Sequence, residues 1–426
     1  MDQNINKTIL SNGVRILTKK IPYVRSVSMG VWVNIGARDE QESENGLSHF
    51  IEHMLFKGTK KRTAFQIAKE FDAIGGQTNA FTSMEHTCYY AKVLDVNLEK
   101  TVDILCDIFL NSQFNQMEVE NERTVILQEI GMIEDTPEEY VHHLLEQNFW
   151  ADHPLGRSIL GAPERVMNFH ADEIKEFFIK LYQPDRIVIS IAGNLEHNQV
   201  INQLGPIFES IHPTYQLPER IKPKPISCAK IHYRDLEQTH ICLGMEGLSI
   251  IDPRRYACNV LNTILGGNMS SMLFQQVREQ RGLAYSVYSF SVSNVDTGLF
   301  GIYAGVAKEN FKPALQLIIN QLKELKTHSL SQSELDDAIQ YTKNNILLSI
   351  ESTDSQMVRL AQNEIHYGRN ISIDELINKI ESVTDKEVME IARTIFDPNR
   401  SCLTILGPID ETESIEEILH DAWKCP

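Results

Sequence analysis

Two short segments recur at one spacing in this chain of 426 residues. Val27-Ser28-Met29-Gly30-Val31 is echoed by Ile241-Cys242-Leu243-Gly244-Met245, and Tyr182-Gln183-Pro184-Asp185-Arg186 by Phe396-Asp397-Pro398-Asn399-Arg400, each 214 positions later. Both members of the second pair run into an apolar stretch, 187–192 and 402–406. A chain written twice to one pattern folds as two like domains, and single cores stop growing beyond ~250–300 residues in any case. Midway, residues 211–225 hold Pro213, Pro218, Pro223 and Pro225 among polar neighbours. Proline at that density blocks helix and sheet and stiffens a linker. The expected division is a first domain over 1–212, a linker over 213–225 and a second domain over 226–426.

Within each half the patterns mix. Val27, Met29, Val31 and Val33 alternate, the mark of a half-buried strand. Residues 78–83 and 87–94 form a hairpin pair about Ser83-Met84-Glu85-His86. Helical stretches follow over 98–110, 115–134 and 137–150, the last opened by Pro137. Strand runs followed by helix runs predict an α+β fold: two homologous domains, each an antiparallel-rich sheet with helices packed on one face.

Composition narrows the function. Apolar residues make up 42% and charged residues 23%, ordinary for a globular chain, so a disordered or collagen-like protein is excluded. There is no run of 18 apolar residues for a membrane span, and the first residues are not expected to be a secretory signal or an Arg-rich transit segment. The net charge of −18 argues against nucleic acid as a partner and is compatible with basic peptides, or with solubility alone. Seven unpatterned cysteines (Cys88, Cys106, Cys228, Cys242, Cys258, Cys402, Cys425) suggest reduced thiols and a cytoplasmic location.

The repeat is imperfect in one informative place. Gly75-Gly76 and Gly266-Gly267 are only 191 positions apart, so the second copy is 23 residues shorter before its glycine pair. The segment it lacks in the first copy holds Leu47-Ser48-His49-Phe50-Ile51-Glu52-His53-Met54-Leu55. Leu47, Phe50, Ile51, Met54 and Leu55 form one apolar helix face, with Asn45 to cap its start and Gly58 its end. His49 and His53 stand one turn apart on a second face and can converge on one ion. Glu52, ~100° round the helix from His53, flanks that ion without ligating it, which suits a general base. The arrangement is H-x-x-E-H.

Catalytic zinc takes three protein ligands. The 115–134 helix offers Glu118, Glu120, Glu122 and Glu129; Glu122 and Glu129 share a face, with Val125, Ile126, Ile130 and Ile133 as its buried side. One of the pair can ligate while the other holds a histidine ring nitrogen. Spacing does not choose between them.

His49, Glu52 and His53 with Glu122 and Glu129 resemble the pitrilysin/insulinase family of zinc metallopeptidases, the inverzincins, in its small branch that includes the mitochondrial processing peptidase and bacterial relatives. The resemblance covers nearly the whole chain, through Gly46-Leu47-Ser48-His49, Asn79-Ala80-Phe81-Thr82-Ser83, Pro154-Leu155-Gly156, Leu160-Gly161 and Arg281-Gly282-Leu283-Ala284-Tyr285. It implies one zinc ion per chain on His49, His53 and Glu129, Glu122 as supporter, Glu52 as base, and two α+β domains about a cavity.

It also implies how a peptide is held. The strand after Gly75-Gly76 could be a sheet edge to which a peptide adds by main-chain bonds, and the resemblance places substrate at Asn79, Ala80 and Phe81. The second copy has Asn345 where Glu129 would recur, so it is expected to hold no zinc. By the family's R-x6-Y pattern its Arg278 and Tyr285 reach the substrate, a cation and a hydroxyl fit for a developing oxyanion. Relatives that read arginine near the cut use acids ten and fourteen positions beyond the ligating glutamate; here these are Glu139 and His143, one turn apart. One acid in place of two predicts a weak arginine preference, fading below pH ~6.5 as His143 charges. His142, His143, His153, His240 and His366 show no metal-ligand spacing and are read as structural, His143 apart from its place beside Glu139.

The expected activity is zinc endopeptidase action on unfolded peptides or presequence-like segments, with peptide substrates as partners and neither nucleic acid nor membrane. The oligomer is open, a homodimer included. The competing readings are a structural or assembly subunit of the same fold without catalysis, and zinc hydrolysis of a non-peptide amide. The first should lack a ligand or the base, and the second has no use for a strand-adding edge.

Overall fold

The repeated glycine of the two matching segments sits in the middle of two sheets. The structure, a computed structural model, describes residues 4–410 and 414–424; Cys425 lies outside them. Strands β1 (Ile5–Ile9), β2 (Arg15–Lys20), β3 (Ser26–Val33), β4 (Gln77–Thr82), β5 (Thr87–Leu94) and β6 (Ile187–Gly193) form one sheet in the order β1-β2-β6-β3-β5-β4. Strands β7 (Cys228–Tyr233), β8 (Thr239–Glu246), β9 (Ala284–Ser293), β10 (Gly298–Val306) and β11 (Ser401–Gly407) form the other, β7-β11-β8-β10-β9. Dropping β1, the orders coincide position by position, with one parallel pair in each, β2 with β6 and β7 with β11, and all other pairs antiparallel. The duplication in sequence is thus a duplication of topology.

Each sheet carries its main helical layer on one face. In the first unit Tyr89 of β5 meets Phe109 of the Leu98–Asn111 helix, which in turn meets Phe208 of the His197–Phe208 helix. In the second, Leu243, Phe300, Ile302 and Leu403 pack under the helices Arg255–Gly266, Phe311–Thr327 and Asp385–Ile395.

The opposite faces are covered too. Trp32 of β3, Leu17, Cys88 and Val188 pack against Met357, Leu360 and Ala361 of the Thr353–Tyr367 helix. Strand β3 is therefore buried on both faces, a correction to its half-buried reading: Ser28, Gly30 and Trp32 alternate with the valines but meet a helix, not water. On the second sheet that place is taken by the Pro137–Phe149 helix, whose Asn148 donates to Thr404 Oγ1 over 3.0 Å. The repeated glycine explains the fit. A Cβ on Gly30 would come within 2.6 Å of Met357 Sδ, and one on Gly244 within 3.0 Å of Leu145 Cδ1. A fully buried Leu or Met contributes roughly 1.5–3 kcal/mol each, so these crossing helices matter to the sheets they cover.

The compact units consequently depart from the linear division at 213–225. One comprises 1–131, 157–221 and 348–372; the other 132–156, 222–347 and 373–426. Each half of the chain lends one helix to the other unit's sheet. The first part of the linker belongs to the first unit, where Arg220 is clasped by Asp39 Oδ2 at 2.7 Å and Gln183 Oε1 accepts from Thr214 N at 2.8 Å.

Candidate metal centre and active site

The helix Leu47–Met54 begins where the chain can turn sharply. Gly46 has φ +102°, and a Cβ there would meet Gly161 Cα at 2.9 Å. The apolar face forms as the spacing predicts: Leu47, Phe50, Ile51 and Met54 are all buried. The cap does not. Asn45 donates to the Ser158 carbonyl at 2.9 Å, and it is Glu40 that receives the first amides, Gly46 N at 2.8 Å and Ser48 N at 2.7 Å. A carboxylate at a helix N-terminus gains from the unsatisfied N–H groups there, yet burial pushes Glu40 up to about 7. The helix ends at Leu55, and Gly58, with φ +122°, turns the chain beyond it rather than capping it.

His49 and His53 project from this helix with ring centroids 4.7 Å apart. Both Nε2 atoms lie 3.6 Å from Glu129 Oε2, on the Gln116–Glu134 helix. Among the described residues, His49, His53 and Glu129 are the group of potential ligands whose donor atoms all fall within 4.8 Å of one another. Glu122 stands behind them, its Oε2 2.9 Å from His53 Nδ1. A carboxylate only accepts, so Nδ1 carries the proton there and Nε2 is left to face Glu129. Lys57 closes the far side, its Nζ 2.6 Å from Glu122 Oε1. Val125 is 44% exposed and so not on the buried side of its helix, which is formed by Val119, Glu122, Ile126 and Ile130.

Electrostatics match the geometry. Burial and the neighbouring His53 hold the His49 pKa below the ordinary value. Burial opposes a charge on His53 as well, but Glu122 and Glu129 outweigh it and raise that pKa to about 9. The two rings are thus pushed in opposite directions, with the carboxylates of Glu122 and Glu129 beside His53. Two imidazole nitrogens and one carboxylate form a donor set suited to zinc.

Glu52 reaches β4, where Thr82 Oγ1 donates to its Oε2 over 2.6 Å. Burial raises the Glu52 pKa, with Thr82 opposing. β4 is the last strand of its sheet, paired only with β5. Alternation puts Ala80 and Thr82 on one face and Asn79 and Phe81 on the other. Phe81 packs edge-on against Trp32 at 5.5 Å, so its side chain anchors the strand. Thr82 and Lys57 escaped the sequence reading. Thr82 was legible as the residue two on from Ala80, and Lys57 as the residue one turn beyond His53.

In the second unit, Arg278 lies on a stretch of π-helix, Phe274–Glu279, a form often found at functional sites. Its guanidinium stands 4.7 Å from the Phe274 ring centroid and 5.2 Å from that of Tyr285. Tyr285 is 76% exposed, so it is no core residue. Gly266-Gly267 closes the Arg255–Gly266 helix, where Gly266 lies against Ser289 N, which its Cβ would meet at 2.3 Å. Glu139 is exposed and His143 half-buried on the Pro137–Phe149 helix. Burial lowers the His143 pKa, with Glu139 opposing, so it charges at lower pH than the expected ~6.5. His142 sits inside this unit, Nε2 3.0 Å from the Tyr288 hydroxyl and its ring stacked on Tyr303.

A fold of two like α+β units, one carrying an inverted H-x-x-E-H helix with a glutamate pair on a second helix, defines a class of metallopeptidase. Residues 15–163 match the family model for insulinase, peptidase family M16, and residues 168–341 that for the peptidase M16 inactive domain. The chain belongs to the insulinase (M16) family of peptidases. It is 40% identical over 426 residues to an uncharacterized zinc protease of Streptomyces coelicolor, covering 98% of this chain and 92% of that one. It is 41% identical over 404 residues to the uncharacterized zinc protease YmxG of Bacillus subtilis, covering 95% and 98%. A protease from Helicobacter pylori shares the fold with a TM-score of 0.88 at 21% identity, covering 95% of this chain and 99% of that one. A peptidase M16 inactive domain from Pseudomonas fluorescens does so at 0.88 and 18% identity, covering 96% and 100%. No helix among the described residues is long and apolar enough to cross a membrane.

Proposed function

We propose that the chain is a zinc-dependent endopeptidase acting on unfolded peptides or presequence-like segments, with one zinc ion on His49, His53 and Glu129. The observation that carries this reading is the convergence of those three donors within 4.8 Å beside an unligated Glu52. Zinc in such a set supplies Lewis-acid polarisation of water and of a carbonyl oxygen. Glu52 takes the proton from the attacking water and delivers it to the leaving amine nitrogen. Glu122 keeps the His53 ring oriented, and Thr82 keeps one oxygen of Glu52 occupied. The free edge of β4 takes the peptide as an added strand through its main chain at 79–81. Sequence resemblance supports a part for Arg278 and Tyr285 in steadying the substrate carbonyl. It also supports a weak arginine preference through Glu139. The unpatterned cysteines of the sequence support a cytoplasmic location.

The test is hydrolysis of a quenched peptide library by the full chain. A chelator should stop it, one equivalent of zinc should restore it, and Glu52→Gln should retain zinc while losing turnover. Loss of zinc together with activity in Glu52→Gln would make Glu52 a ligand. A zinc-loaded wild type that cuts no peptide would favour the structural-subunit reading, against which stands the presence of every ligand and the base.

A further inference from the structure

The turn after the histidine helix carries a lysine that this chemistry does not use. Lys57 Nζ lies 2.6 Å from Glu122 Oε1, while the other oxygen of the same carboxylate lies 2.9 Å from His53 Nδ1. The Glu122 side chain is 6% exposed, so few waters can compete for either oxygen. We infer that Lys57 is a positioning residue of the metal centre: it clamps one oxygen of Glu122, commits the other to His53, and so fixes the ring whose Nε2 meets the ion. The inference rests on the reading of His49, His53 and Glu129 as ligands.

The lysine is aimed by a backbone fixed on both sides. Lys57 N donates to the Met54 carbonyl at 3.1 Å, which ties it to the helix end. Past the left-handed Gly58, whose carbonyl accepts from Gln113 N at 3.1 Å, Thr59 Oγ1 donates to Asp107 Oδ2 at 2.7 Å. Arg62 Nη1 donates to that oxygen at 2.7 Å and its Nε to Glu70 Oε1 at 3.0 Å. The loop therefore presents Lys57 from a rigid mount. Geometry supplies the reason for the clamp. A carboxylate turning freely about its last bond could offer His53 either oxygen, or swing away from it. A cation on Oε1 removes that freedom, and outer partners of this kind set ligand orientation and metal affinity.

A plain charge-balancing role makes a different prediction, since it would alter the fold's stability and leave metal affinity alone. Zinc dissociation constants are measured on the full chain by competition with a chromophoric chelator, for Lys57→Met, Lys57→Arg, Glu122→Gln and the Lys57→Met/Glu122→Gln double variant. Lys57→Met is expected to weaken zinc about tenfold, the lower edge of the ~10–100-fold seen when a ligand's partner is lost. Lys57→Arg, which keeps a charged donor, should recover most of that loss. On the Glu122→Gln background Lys57→Met should add nothing, because the lysine acts through the glutamate. Wild-type affinity in Lys57→Met, or a full additional loss on that background, would overturn the inference. His49→Ala serves as the control: if it binds zinc like wild type, the metal-centre reading itself falls, and Lys57 with it.

Discussion

Thr82 Oγ1 donates to Glu52 Oε2 over 2.6 Å, so the edge strand proposed to receive the peptide also holds the proposed base. On the proposed function, peptide-binding strand and proton acceptor are referenced to one another through one hydroxyl. Removing that hydroxyl frees the carboxylate to rotate. Thr82→Val is expected to lower kcat about tenfold, part of the ~10²–10⁴ that general base catalysis supplies, with zinc content unchanged. Thr82→Ser should lie near wild type. Equal kcat in all three enzymes would mean that the contact only supports the strand.

The two glutamates of the Gln116–Glu134 helix should separate by metal affinity. Glu129 Oε2 stands 3.6 Å from both histidine Nε2 atoms, whereas Glu122 reaches only the far nitrogen of His53. Glu129→Gln should lose zinc by more than the ~10–100-fold expected for Glu122→Gln. Calorimetric zinc titration of the two variants checks the order, and the opposite order would exchange their roles.

How far this could be read from the sequence follows from what each residue depends on. The Leu47–Met54 helix and its histidine pair are local, so an apolar stripe and a four-residue step reveal them. Glu40 as the cap is invisible to that reasoning, because it lies before the helix in an irregular segment and reaches its amides by tertiary folding. The half-buried reading of β3 failed for the same reason. Ser28 and Gly30 look like a solvent face until a helix from residues 353–367 covers them. The repeated glycine did carry that information: Gly30 and Gly244 mark where a crossing helix comes close. Topology repeated because strand order follows from pattern. The exchange of helices did not announce itself, since nothing in a helix's own periodicity says which sheet it will cover.

The aromatic platform under Arg278 gives a third expectation. Phe274 and Tyr285 flank the guanidinium at 4.7 and 5.2 Å. Tyr285→Phe keeps the ring and removes the hydroxyl, so a fall in peptide hydrolysis with zinc intact isolates the hydroxyl's part. Arg278→Ala should fall further, and Phe274→Leu should fall partway as the guanidinium loses a face worth ~0.5–1 kcal/mol at an exposed site. Wild-type rates in Arg278→Ala and Tyr285→Phe would remove both from the site.

Acid should destabilise the protein through buried neutral histidines. Burial lowers His86, His142 and His366 to about 4 each; Arg220 adds to this at His86 and His366, as do, when protonated, His366 at His86 and His143 at His142. Their unfolded values lie near ~6.5, so between about 6.5 and 4 the unfolded chain binds more protons than the folded one. The stability these groups contribute is present above pH ~6.5 and is lost as pH falls toward 4. Tm measured across that window should drop, and His366→Gln should flatten the slope. A slope unchanged in His366→Gln would mean that this ring is protonated in the fold.

The exchanged helices make the last expectation. Residues 348–372 complete the first unit and 132–156 the second, so a cut in the linker leaves each fragment with one helix it cannot use and one sheet face uncovered. In fragment 1–225 the uncovered face includes Trp32, fully buried in the intact chain by Met357 and its neighbours. Losing Met357 and Leu360 alone forfeits about 1.5–3 kcal/mol each, a large share of the ~5–15 kcal/mol that holds a domain. The ion pair of Lys7 with Glu364, at 2.7 Å, is lost as well. Fragment 1–225 made alone should therefore show no cooperative unfolding transition and should bind a hydrophobic dye. Co-expressed with fragment 226–426 it should recover both the transition and a buried Trp32, because the missing helix is supplied in trans. Replacing Met357 by Asp in the second fragment should prevent that recovery, since a carboxylate cannot sit against Trp32 without a partner. A cooperative transition in fragment 1–225 alone would show that the first sheet is stable without the helix it borrows.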